Sequence, residues 1–274
     1  MRTDVTARRL LLLISMVAAI WVAPALLSAE RLTDKDVRAL LDRIDDERDR
    51  FEDQLDGKLK RSILRGPRGE VDVERYLDDL QENVDRLKER FKSDYAASAE
   101  VTAVLRQASD IHRFMATQPP DLDGASEWNR LSASFGTLAT AYGTRMPVPD
   151  GDVARRLNDR EVKKTAEELG KSADRFKNDL ESSLRKDPAV DPAALSAAVS
   201  DADALKQEAK RLASVVGDGR PASGEAQAVL ERASRVSAAS AGRTLSPAAQ
   251  ASWREVETGL DAVARAFGLT SANR

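Results

Sequence analysis

Shifted by 125 residues, the chain aligns with itself without a gap. "RLTDKDV" at Arg31 meets "RLNDREV" at Arg156, and "DRFEDQL" at Asp49 meets "DRFKNDL" at Asp174. "SAEVTAVLRQAS" at Ser98 meets "SGEAQAVLERAS" at Ser223. Trp128 falls on Trp253 and Gly143 on Gly268. Alanine-rich helices produce one such match by chance, but not several in a single register. Residues 31–149 and 156–274 therefore read as one unit written twice, with "TRMPVPDGDVARR" (Thr144–Arg156) as the link.

Within each unit the apolar period is helical. Val73, Leu77, Leu80, Val84, Leu87 and Phe91 step by four and three in turn, which puts all six on one stripe of a helix. Trp128, Leu131, Phe135, Leu138 and Tyr142 do the same, as do their counterparts Trp253, Val256, Leu260, Val263 and Phe267. Val37, Leu41, Ile44, Phe51 and Leu55 mark a further helix, matched by Val162, Leu169, Phe176 and Leu180. Val101, Leu105, Ala108 and Met115, broadened by Val104 and Ile111, mark another. Each stripe must be covered, and full burial of a Leu or Phe gains about 1.5–3 kcal/mol. The expected fold is thus all-α: two tandem, internally duplicated antiparallel four-helix bundles.

The punctuation agrees with this reading. Thr33 with Asp36, and Asn158 with Glu161, have the spacing of a capping box. Asp191-Pro192 and Ser246-Pro247 place a cap before a first-turn proline. The prolines beyond residue 29 all fall between expected helices, and one in a helix interior would cost about 3 kcal/mol. No stretch alternates long enough to argue for a strand.

Residues 1–29 read as a secretory signal peptide. Arg2, Arg8 and Arg9 precede an apolar run from Leu10 to Val22, Pro24 breaks it, and Leu27-Ser28-Ala29 offers a cleavage point before Glu30, with Ala23-Pro24-Ala25 a second. Residues 10–29 are also just long enough to serve as an uncleaved membrane anchor. Arg8-Arg9 hints at twin-arginine export as an alternative to the general route. The style of this leader is bacterial, and points to the periplasm or the exterior.

Composition removes several function classes. The net charge is −3, with signs interspersed and no basic excess of the kind a nucleic-acid binder carries. Cysteine is absent and there is one histidine, His112. Thiol chemistry, thiolate metal sites and covalent haem are excluded, and the Glu-x-x-His pairs of di-metal bundles do not occur. There is no Gly-x-Ser-x-Gly elbow and no phosphate loop. No catalytic residue and no cofactor is expected.

Candidate binding residues remain. Arg48 falls on an apolar stripe where the second unit has Ala173; it either pairs with an acid or marks an anion pocket. With His112 and Trp128 it forms the expected ligand-binding set, against the plainer roles of helix flank for His112 and core packing for Trp128. Asp45, Asp49 and Asp53 share a helix face and form the expected metal set. Arg43, Arg48 and Arg50 interleave with them, which favours an ion-paired face instead. The first unit holds 20 basic and 24 acidic residues, the second 19 and 18, so −4 against +1. The function expected is a non-enzymatic structural or protein-interaction role in the bacterial envelope or exterior, the first unit being the likelier docking face for another envelope protein. The alternative is a sensor-like bundle that binds a small ligand, anion or metal.

Overall fold

The computed structural model describes residues 30–66, 69–187, 190–241 and 243–270. The leader lies outside them. The chain is predominantly helical and bundle-like. In the first half α1 (Asp34–Gln54) leads through a short α2 (Gly57–Lys60) to an antiparallel hairpin of β1 (Ile63–Gly66) and β2 (Gly69–Asp72). There follow α3 (Val73–Arg90), α4 (Ser98–Met115) and α5 (Ala125–Ala141). The second half contains α6 (Asp159–Leu184), α7 (Pro192–Gly217), α8 (Ser223–Ser240) and α9 (Pro247–Phe267).

Local chemistry sets the helix ends. Thr33 caps α1 and Asn158 caps α6, each closed into a full capping box by the acid three residues on. Asp191 and Ser246 cap α7 and α9 ahead of a first-turn proline. Helices α5 and α9 stop at Gly143 and Gly268, with φ of +67° and +63°. That left-handed turn lets Thr144 N–H donate to Ala139 O at 3.0 Å, and Leu269 N–H to Ala264 O at 2.9 Å. A residue with a Cβ is strained in that conformation.

The stripes pack into two separate cores. One gathers apolar residues from Val37 to Ala154, the other from Val162 to Phe267. In the first, α1 lies against α3 and α5, and α4 closes the ring between them. In the second, α6 lies against α7 and α9, and α8 closes the ring. Matching aromatic pairs sit in both: Phe51 on Trp128 with centroids 5.3 Å apart, and Phe176 on Trp253 at 4.8 Å. Trp128 is buried while Trp253 is only partly so.

The hairpin departs from the expectation that no strand would form. Four-residue strands are too short to display alternation. The same stretch of the second half is built differently, with α6 running on to Leu184 and α7 starting at Pro192. The first half has Asp56-Gly57 here, where Asp56 accepts from Lys58 N–H and starts a new short helix, and its strands end on Gly66 and Gly69. The second half has Glu181 and Ser182 opposite Asp56-Gly57, and Asp191 and Ala194 opposite the two strand-end glycines.

Replacing Phe51 or Phe176 by Ala should each cost about 3–5 kcal/mol in denaturant unfolding. In variants that lack Trp21 and keep only one of Trp128 and Trp253, each truncation should red-shift the emission of its own partner and leave the other unchanged. A shift of both tryptophans by either change would contradict separate cores.

Candidate functional site

A tightly built polar cluster joins the two halves. Helices α1 and α6 begin at Asp34 and Asp159, residues that stand 125 apart. The first N–H groups of a helix have no partner within it. Here each is met by the other helix: Asp34 N–H donates to Asp159 Oδ2 at 2.8 Å, and Asp159 N–H donates to Asp34 Oδ2 at 2.9 Å. The remaining carboxylate oxygens take arginines, again reciprocally. Arg156 Nη2 donates to Asp34 Oδ1 and Arg31 Nη1 to Asp159 Oδ1, both at 2.6 Å. Arg31 Nη2 also donates to Leu157 O at 2.8 Å.

This clasp is almost dry. The side chains of Arg31 and Arg156 are 8% and 2% exposed, those of Asp34 and Asp159 9% and 17%. Two positive helix ends facing each other repel, and a carboxylate at each end reverses the sign. Two aspartates and two arginines then leave the cluster neutral. Burial and the neighbouring Arg156 push the Arg31 guanidinium below its ordinary pKa, offset in part by Asp159. Arg156 keeps Nε and Nη1 without a hydrogen-bond partner.

Beside the clasp a half-open cleft of about 950 Å³ runs between the halves. Its wall includes Arg31 and Arg156, the exposed Arg155 and Arg265, and the ends of α5 and α9 at Gly143 and Gly268. Arg31 also lies over the Phe267 ring, 5.6 Å from its centroid. Arg155 N–H donates to Tyr142 O at 2.8 Å. Tyr142 in turn donates its hydroxyl to Ala96 O at 2.6 Å, and burial pushes that phenol well above its ordinary pKa.

The residues nominated from sequence lie elsewhere, in the first half. Arg48 is 2% exposed and engages acids of its own helix: Nη2 meets Asp45 at 3.2 Å and also Asp49, while Nη1 stands 3.7 Å from Glu52. Lys88 of α3 reaches the same patch, 2.7 Å from Asp45 and 3.2 Å from Asp42. Partial burial would raise the Asp45 carboxyl, but hydrogen bonds from Lys88 and Arg48 outweigh it and hold its pKa below the ordinary value. Its contribution to stability is therefore full above the unfolded carboxyl pKa, about 3.9, and fades as pH falls through the folded value. Asp53 is exposed. Asp45 and Asp49 are ion-pair partners of Arg48, and Asp45 also of Lys88; among the described residues no group of three or more potential metal donors comes together.

His112 and Trp128 do meet, with ring centroids 6.2 Å apart. His112 Nδ1 is 3.3 Å from Ser132 Oγ, and Trp128 is 3% exposed against Phe51. The structure thus groups these two rings with Phe51, one turn along α1 from Arg48, in packed surroundings. Among the described residues no helix is long and apolar enough to cross a membrane.

Comparison with known proteins finds no matching family model, curated protein or solved structure.

Arg31, Asp34, Arg156 and Asp159 were not among the residues singled out from sequence. Their signal was present in the identical Arg-Leu-x-Asp that opens both units, whose Arg and Asp lie off the apolar stripe.

Asp34→Ala or Asp159→Ala removes the acceptor of one arginine and of one helix N–H together. Each should cost about 3–5 kcal/mol in urea unfolding, because a buried charge loses its partner. Asp53→Ala, at an exposed position, should stay within about 0.5 kcal/mol. Equal effects at Asp34 and Asp53 would show that the clasp contributes nothing.

Proposed function

We propose that this chain is an exported, non-enzymatic scaffold, a four-helix bundle duplicated in tandem, with a structural or protein-interaction role at the bacterial envelope or exterior. The observation that carries the reading is the reciprocal Asp34–Asp159 contact. It places part-buried charge-assisted hydrogen bonds, each about 1.5–3 kcal/mol, between two lobes, where they fix relative position. Duplication is supported by the aromatic pairs, capping boxes and glycine stops that recur at equivalent positions. Export is supported by the layout of residues 1–29, with anchoring by residues 10–29 as its variant.

The partner is another envelope protein with a basic docking surface. The first unit is the more acidic one, −4 from 20 basic and 24 acidic residues. Its α1 exposes Asp42, Asp46 and Asp53 along the outer face. Opposite charges of this kind govern the encounter rate and the choice of partner, and salt weakens them. Nucleic acid does not fit this charge distribution. Small-ligand binding is a second reading, favoured by the arginine-lined cleft between the halves.

In a pull-down from envelope extract the protein should recover a partner in stoichiometric amount at low salt. Capture should fall at high salt and be lost when Asp42, Asp46 and Asp53 are changed to Asn. Recovery of no stoichiometric partner, or capture indifferent to these changes, would overturn the reading.

A further inference from the structure

We propose that the cleft between the halves binds a single-chain amphiphile with one carboxylate head. The inference rests on the ligand-binding reading alone and stands apart from the scaffold role. The cleft is built from equivalent residues of both halves. Arg31 stands opposite Arg156, Leu32 opposite Leu157, and Ala141 opposite Ala266, each pair 125 apart in sequence. A cleft made this way starts symmetric. Three lining pairs break the symmetry: Thr137 faces no counterpart hydroxyl, since Ala262 stands at its place, and the other two change the charge in one direction. The first half contributes Glu30 and Thr140; the second contributes Arg155 and Arg265 at the same places.

The charge count is then specific. Arg31 and Arg156 are neutralised by Asp159 and Asp34. Among the described lining residues Glu30 is the carboxylate left to set against Arg155 and Arg265, which leaves an excess of one positive charge in the cleft. Among the described residues neither guanidinium has a carboxylate partner: Arg265 Nε donates to the Asp261 carbonyl at 3.1 Å, and no side-chain bond of Arg155 is formed within them. Arg156, 2% exposed and paired with Asp34, also lines the cleft, with its Nε and Nη1 buried without a hydrogen-bond partner.

Most of the rest of the wall is apolar, with Leu32, Leu157, Ala141, Ala266 and Phe267 beside the hydroxyls of Thr137 and Thr165. An anion without a tail would leave that surface wet, and a tail without a charge would leave the arginines unanswered. Arginine binds carboxylates through paired N–H donors. A phosphate monoester carries about −1.5 to −2, more than the excess positive charge, so the carboxylate fits better. At about 950 Å³ the volume is at the upper end of the range usual for small-molecule sites, about 300–1,000 Å³.

The test uses the full chain, purified without detergent, with dodecanoate as the probe in titration calorimetry. Dodecanoate should bind saturably at one site per chain, while dodecanol and acetate bind at least about tenfold more weakly. Dodecyl phosphate should bind more weakly than dodecanoate. R155E and R265E, at exposed positions that leave folding intact, should each weaken dodecanoate by about tenfold. E30Q should tighten it, and R254E, an exposed α9 site off the cleft wall, should change nothing. Equal binding of dodecanoate and dodecanol, no saturable binding, or wild-type affinity in R155E and R265E would overturn the proposal. A pull-down that fails while dodecanoate binds would remove the scaffold role and leave this site standing.

Discussion

Two helices that begin at the same point in space bring two positive ends and two sets of unpaired N–H groups together. Left alone, that arrangement is repulsive and poorly solvated. In this protein each helix supplies the carboxylate that the other lacks. Asp34 and Asp159 are at once the first residue of their own helix and the acceptor for its neighbour's first N–H. Arg31 and Arg156 complete the charge balance from the strand of chain just before each helix. The contact is reciprocal, in the manner of an isologous interface, here within one chain. The relation between the halves, and the cleft beside the clasp, follow from it.

The cores obey a looser rule. Both halves cover four apolar stripes in the same cyclic order, but equivalent positions differ where packing allows. Arg48 sits in the first where Ala173 sits in the second, both buried. The arginine is tolerated because three acids on its own helix and Lys88's neighbouring patch keep it within a network of charges. A lone buried guanidinium would be costly. Likewise a hairpin and short helix in the first half occupy the length that extends two helices in the second. Apolar spacing holds the bundle, and the connections vary around it.

That distinction explains what could be read from the sequence. Val73 through Phe91 and Trp128 through Tyr142 are buried along their whole stripes, since a period of 3.6 leaves one answer for such spacing. The caps at Thr33, Asn158, Asp191 and Ser246 were equally legible, because their chemistry is local. The hairpin was not, for four residues carry too little pattern. The clasp was hidden for another reason. Its bonds join residues more than 120 positions apart, and nothing local states that two helix starts will touch. Only the recurrence of Arg-Leu-x-Asp, whose polar residues no core requires, pointed to it. The arginines of the cleft were invisible in the same way. Arg155 and Arg265 gain meaning once Glu30 and Thr140 are seen at the matching places of the same cleft.

Hydrogen exchange at two backbone amides tests the central claim most directly. First-turn amides at a free helix end exchange fast, because nothing in the helix accepts from them. If the halves are clasped, the Asp34 and Asp159 amides are both strongly protected, and Asp34→Ala strips protection from the Asp159 amide while the interior of α6 keeps its own. Fast exchange at both positions in the unaltered protein would contradict the account.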